Sequence, residues 1–226
     1  MPDAAGLDRL PSEAALGERF KDALGYATGL HARDVRKSTA IPYVGHLLGV
    51  CALVIENGGN ETESIAALLH DAAEDHGGTD RLDDIRRRFG AEVARIVERC
   101  SDSLTADPSK KAPWLERKRS HVARIEAHAS EGDASTLLVT AADKLYNLRS
   151  IATDLDDDAV GERVYGRFHG GKWGTLWYYR VLADVLCRYP GRHRRIAREL
   201  EALATRLCAG QSAAQLLARY DRENAR

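Results

Sequence analysis

The run Leu68-Leu69-His70-Asp71-Ala72-Ala73-Glu74-Asp75 sets an imidazole beside a carboxylate behind an apolar pair, with two more carboxylates one helical turn on. On a helix His70 and Glu74 are four residues apart and Asp71 and Glu74 three apart, so these groups converge beside one face. A divalent cation would stabilise that convergence. Taken alone, a His-Asp pair is more simply a solvated acidic helix end. Two other segments shift the balance. His46 stands in Pro42-Tyr43-Val44-Gly45-His46-Leu47, at the start of a segment whose Leu47, Val50 and Val54 should face a core. Farther on, Asp143, Asn147 and Ser150 fall along one helix face, while Ala141, Leu145 and Leu148 form another. A polar stripe on an otherwise core-like helix predicts a lined pocket. Each residue singly has a plainer account: His46 as a satisfied core histidine, Asp143 as the partner of Lys144 or an arginine, Asn147 as a solvent-facing side chain.

The elements that must position these groups read as helices. Apolar residues make up 44% and charged residues 30% of the 226 positions, with β-branched and aromatic types sparse beside Ala, Leu, Arg and Glu. The spacing predicts helices near 13–33, 43–57, 61–75, 81–89, 91–103, 113–129, 134–154, 158–167, 172–188, 193–208 and 211–223. Ile196, Leu200, Leu203 and Leu207 make the clearest core stripe. Asn60 followed by Glu63 is a capped helix start, bounded by the Gly58-Gly59 and Gly77-Gly78 turns. Loops over Arg36–Pro42 and His169–Gly171 carry polar groups suited to binding. The fold expected is all-α, a single domain over 1–226 with its core at about 13–190 and helices 191–226 as a packing or dimerisation appendage, allowing a homodimer.

Thirty-three basic against thirty-four acidic residues give a net charge of -1, which offers no global attraction to nucleic acid or an anionic membrane. An anionic ligand therefore needs a local basic pocket. No signal pattern or apolar run of spanning length is present, so a cytoplasmic location is expected. Cys51, Cys100, Cys187 and Cys208 lack paired spacing and read as buried thiols. The basic residues 116–119 and 192–195 read as solvated helix faces.

Together the residues His46, His70-Asp71 and Asp143 reproduce the His…His-Asp…Asp order of the HD superfamily. More closely, the chain resembles the small alarmone hydrolases, stand-alone relatives of the hydrolase half of Rel/Spo-type stringent-response enzymes. The resemblance runs from about His31 to Arg180, through Arg36-Lys37-Ser38, Pro42-Tyr43-x-x-His46, Leu69-His70-Asp71-x-x-Glu74-Asp75 and Ala142–Arg149. Trp177-Tyr178-Tyr179-Arg180 also resembles a bacterial segment, with an aromatic packing stripe as an equal account. Leu47 stands where the family usually has Pro, and Thr39-Ala40-Ile41-Pro42-Tyr43 replaces a Gly-Glu-Pro-Tyr-like turn. The longer turn leaves guanine and adenine both open as the base.

The resemblance implies an HD-domain helical bundle of ten to eleven helices. It implies one divalent transition metal, manganese by preference, on His46, His70, Asp71 and Asp143. Such a set of imidazoles and carboxylates leaves positions for water and a phosphate oxygen. Glu74, Asp75 and Asn147 are then the catalytic residues. Arg36, Lys37, Ser38, Lys144, Ser150, Lys172 and Tyr178 are the expected substrate contacts. The implied substrate is guanosine 5′-di- or triphosphate bearing a 3′-pyrophosphate, or its adenosine analogue, cut to release pyrophosphate. Two alternatives stay open: an HD-type 5′-nucleotidase, which has no use for the Arg36-Lys37-Ser38 loop, and a non-catalytic nucleotide-sensing module.

Overall fold

Apolar residues at helical spacing along the chain fold into eleven α-helices in the computed structural model, which describes residues 16–105 and 108–225; no strand occurs among them. The helices are α1 (Glu18–Leu30), α2 (Val44–Glu56), α3 (Glu61–Leu69), α4 (Ala72–Asp75), α5 (Gly78–Phe89), α6 (Ala91–Cys100), α7 (Trp114–Ser130), α8 (Ala134–Asp156), α9 (Gly171–Arg188), α10 (Arg194–Leu207) and α11 (Ala213–Asn224). The first positions of the helix expected at 13–33 lie outside the described residues. No described helix is long and apolar enough to cross a membrane.

Two helices occupy the centre. Every residue of α3 from Glu63 to Leu69 is buried, as is every residue of α8 from Thr136 to Asp143. A helix buried on all sides must be surrounded, and α8 packs against α2, α3, α6, α7, α9 and α10. The predicted stripe on α10 enters the same core through Ile196 and Leu200, while Leu203 and Leu207 are half-buried. Helix α11 closes over α9.

The start of α3 is the expected capping box: Asn60 Oδ1 accepts from the Glu63 amide and Glu63 Oε2 from the Asn60 amide. Glu63 also accepts from Ser135 Oγ at 2.7 Å and pairs with Arg192, so one buried carboxylate ties together three segments.

Three expectations need correction. The helix read over 61–75 is two pieces, because the His70 imidazole takes the Ala67 carbonyl that an unbroken helix would offer to the Asp71 amide. Asp71 relaxes to φ -94°, ψ -9°, still right-handed but off the regular helical values. The segment 158–167 forms a 3-10 helix, Gly161–Arg167, in place of an α-helix. The basic runs are not uniformly solvated: Arg117 and Lys118 converge on Asp102, Arg192 holds Glu63, and His193 is fully buried.

At the start of α8, Asp133 caps Thr136 and pairs with Arg95 and Arg99 of α6. Burial would raise its pKa, but hydrogen bonds from Arg95, Thr136 and Arg99 outweigh it and hold the carboxyl well below the ordinary range. A depressed folded-state pKa gives stability that is present above the unfolded value, about 3.9, and lost as pH falls. Asp133→Asn is therefore expected to lower stability in urea at pH 7, with the gap to the parent closing on acidification below about pH 4. A gap independent of pH would show that the charge on Asp133 contributes nothing.

Candidate active site

The turn between α3 and α4, the start of α2 and the middle of α8 bring four electron-rich atoms to one point. His46 Nε2 lies 3.2 Å from His70 Nε2, 3.4 Å from Asp71 Oδ2 and 3.4 Å from Asp143 Oδ1. His70 Nε2 lies 3.0 Å from Asp71 Oδ2 and 3.6 Å from Asp143 Oδ1. Ligands about 2.1 Å from one ion stand about 3.0–3.4 Å apart at right-angle or tetrahedral openings. His46, His70 and Asp143 present donor atoms that lie within 4.8 Å of one another and could hold a cation, with Asp71 Oδ2 against both imidazoles. The tautomers agree. His70 Nδ1 donates to Ala67 O at 2.8 Å, which turns the Nε2 lone pair inward.

Electrostatics make the same demand. Burial holds His46 below the usual imidazole pKa, so it is neutral, as a ligand must be. Burial would do the same to His70, but Asp71 and Asp143 outweigh it and raise its pKa well above the usual value. Asp71 and Asp143 are held ionised, their burial outweighed chiefly by His70 and by Lys144 respectively. Two carboxylates at a buried point require positive charge; Lys144 supplies part of it to Asp143, and a proton on His70 or a metal ion would supply the rest.

Around this centre neighbours aim the two carboxylates, while the buried His46 Nδ1 makes no hydrogen bond. Tyr43 donates from its hydroxyl to Asp71 Oδ2 at 2.5 Å. Lys144 Nζ donates to Asp143 Oδ2 and Asn147 Nδ2 to Asp143 Oδ1, both at 2.5 Å. Arg36 Nη2 donates to Asn147 Oδ1 at 2.7 Å, so the 36–42 loop reaches the centre through Asn147. A bridge between Val35 and Pro42 closes that loop, and Ser38 at φ 56° makes its turn. Tyr146 lies with its ring centroid 5.2 Å from that of His46. A side chain at Gly49 would strike the Tyr146 ring, so glycine there lets the tyrosine pack against α2.

Glu74 and Asp75 stand on α4 just beyond the donors. Glu74 Oε2 accepts the Asp102 amide at 2.9 Å, and Asp102 is held by Lys118 at 3.1 Å and by Arg117. Burial, with the negative charge of Asp71 and Asp102, raises the Glu74 pKa. Burial with Asp71 and Glu74 nearby pushes Asp75 up to about 7. Carboxyls so displaced can exchange protons near neutral pH.

Of the expected substrate contacts, Arg36 joins the cluster directly, Lys37 and Ser38 are exposed on its loop, and Ser150 is half-buried one turn beyond Asn147. Lys144 is committed to Asp143. Tyr178 and Lys172 are engaged by protein neighbours. Tyr178 is buried, bonded to His121 and stacked under Lys118 and Lys144, so it belongs to the wall that holds those lysines. Lys172 pairs with Glu162 beside Trp173. Sequence reasoning gave no role to Tyr43, although it stood in the quoted motif, nor to Asp102, which follows α6 in a loop without periodicity.

The helical bundle carries at its centre a His/Asp cluster that could hold a metal ion. Residues 23–167 match the family model described as HD domain, and the chain belongs to that family. Within it, guanosine-3′,5′-bis(diphosphate) 3′-pyrophosphohydrolase MESH1 of Homo sapiens is 38% identical over 195 residues, covering 85% of this chain and 94% of that protein. The Mus musculus protein of the same name is 38% identical over 143 residues, covering 62% of this chain and 72% of its own length. A solved structure described as a metazoan orthologue of SpoT that hydrolyses ppGpp aligns with a TM-score of 0.62 at 23% identity over 90% of this chain and 99% of that one, a likeness of fold.

Proposed function

We propose that this chain is a metal-dependent hydrolase that removes the 3′-pyrophosphate from guanosine nucleotides of the ppGpp type, leaving GDP or GTP and intact pyrophosphate. The observation that carries the reading is the meeting of the His46 and His70 imidazoles with Asp71 and Asp143 at 3.0–3.6 Å, flanked by Glu74 and Asp75 and linked by Asn147 to Arg36. His46, His70, Asp71 and Asp143 would hold the ion, manganese by family resemblance. When bound it would polarise a phosphoryl oxygen and acidify a water molecule.

The chain's own residues supply the rest. Asp143 keeps one carboxylate oxygen for the centre because Lys144 holds the other. Asn147, already bonded to Asp143, orients the water or the scissile phosphate at the centre. Glu74, anchored by the Asp102 amide, and Asp75 take up and return the protons of hydrolysis. Arg36, Lys37 and Ser150 hold base and sugar so that the 3′ substituent faces the centre, and holding reacting groups in that geometry contributes much of the rate. Water attacks the phosphorus bonded to the 3′ oxygen, that P–O bond breaks, and the ribose oxygen leaves with a proton.

The test is a panel of 3′-pyrophosphorylated guanosine and adenosine nucleotides and plain 5′-monophosphates, incubated with manganese-loaded protein and resolved by anion exchange. Pyrophosphate with GDP or GTP is the expected outcome. Orthophosphate as sole product, or faster turnover of monophosphates, moves the chain to the nucleotidase alternative. Arg36→Ala is expected mainly to raise KM and Asn147→Ala mainly to lower kcat, since the first binds throughout and the second acts near the transition state. The opposite split would reverse these two roles.

A further inference from the structure

A second convergence of donors lies outside the cluster just described. His31 follows α1, Asp34 begins the loop that carries Arg36, and His76 closes α4. Asp34 Oδ2 stands 2.8 Å from His31 Nδ1 and 2.6 Å from His76 Nε2, and the two imidazoles meet edge to face with centroids 4.6 Å apart. The three donor atoms lie within 4.8 Å of one another. We propose that His31, Asp34 and His76 form a second binding site for a divalent transition-metal ion of zinc's class, distinct from the centre at His46, His70, Asp71 and Asp143.

The chemistry of the donors supports it. Two imidazoles and one carboxylate are a set that zinc, cobalt and iron accept, with the remaining positions taken by water. The side chain of His31 is fully buried, whereas those of Asp34 and His76 are 36% and 26% exposed, so the cluster opens to solvent on one side only. Burial keeps His31 below the usual imidazole pKa, and bonds from His76 and His31 outweigh burial to keep Asp34 below the usual carboxylate range. Neutral imidazole and ionised carboxylate are the forms that ligate. An ion there displaces the shared imidazole protons, and moving the donors apart by a few tenths of an ångström brings them to the spacing of ligands on one ion.

Position gives the site its effect. His31 stacks on Tyr43, whose hydroxyl binds Asp71, and His76 directly follows Glu74-Asp75. An ion at this point staples the start of the Arg36 loop to the end of α4. It therefore restrains the segment that the proposed function uses for nucleotide binding.

The experiment is equilibrium dialysis of the full chain against cobalt(II), counting bound ions by elemental analysis, with circular dichroism to check folding. The parent is expected to hold two ions, and His76→Ala and Asp34→Asn one each. His46→Ala is expected to lose the other ion, and the double variant with His76→Ala to hold none. Hydrogen exchange across 31–42 is expected to quicken in His76→Ala under cobalt. A parent that saturates at one ion lost only in His46→Ala overturns the second site, as does a folded His76→Ala chain that still holds two. If His76→Ala loses an ion while His46→Ala keeps both, the second site stands and the centre assigned to His46 fails.

Discussion

Asp71→Ala is expected to abolish turnover and the retention of the ion at the His46 centre, whereas Glu74→Ala abolishes turnover alone. Asp71 presents Oδ2 to both imidazoles at 3.0 and 3.4 Å and receives the Tyr43 hydroxyl, so its removal opens the donor set and leaves His70 without its main counter-charge. Glu74 forms no hydrogen bond with the donors and instead accepts the Asp102 amide. Losing a proton-transfer group lowers rate by about 100- to 10,000-fold without a corresponding loss of ground-state binding. Metal content by elemental analysis, nucleotide affinity by calorimetry and kcat on the same preparations separate the two variants. A Glu74→Ala chain with nearly full activity would remove the acid–base assignment. An Asp71→Ala chain that holds as many ions as the parent, at parental affinity, would remove the ligand assignment.

Lys144→Met is expected to destabilise the metal-free chain by about 3–5 kcal/mol, the range for removing one partner of a buried ion pair. The side chains of Lys144 and Asp143 are 15% and 9% exposed, and the pair is made at 2.5 Å. Methionine fills a similar volume but leaves Asp143 with Asn147 and the histidines as its remaining partners. In manganese the penalty should shrink, because an ion at the centre supplies the charge that Lys144 gave up. Urea unfolding in chelator and in manganese measures both values. An equal penalty in the two conditions would mean that Asp143 gains nothing from the ion and does not ligate it.

The donors were legible in the sequence because His70-Asp71 adjoins an apolar run and Asp143 and Asn147 recur at a helical turn, so side-chain type and spacing carried the information. Asn60 and Glu63 likewise announced the start of α3. The break at His70-Asp71 was not legible. Both residues keep right-handed helical angles, and the interruption comes from a side chain competing for a carbonyl. The supports of Glu74 were hidden for another reason: Asp102, Arg117 and Lys118 meet across a loop, and no periodicity links positions whose contact is purely tertiary. Tyr178 and Lys172 were read from resemblance alone, and the sequence carried no sign of the burial of the first or of the ion pair of the second with Glu162.

Gly49 shows where this centre resists change. The residue is only half-buried, and by exposure it belongs with positions that accept most substitutions. Yet a single methyl group there would collide with the Tyr146 ring, which is tilted against the His46 imidazole with centroids 5.2 Å apart. In a saturation library position 49 should therefore behave like an interior site, with alanine already depleted under selection for activity. Tolerance to mutation here follows the reach of a neighbour's ring more closely than it follows distance from the surface.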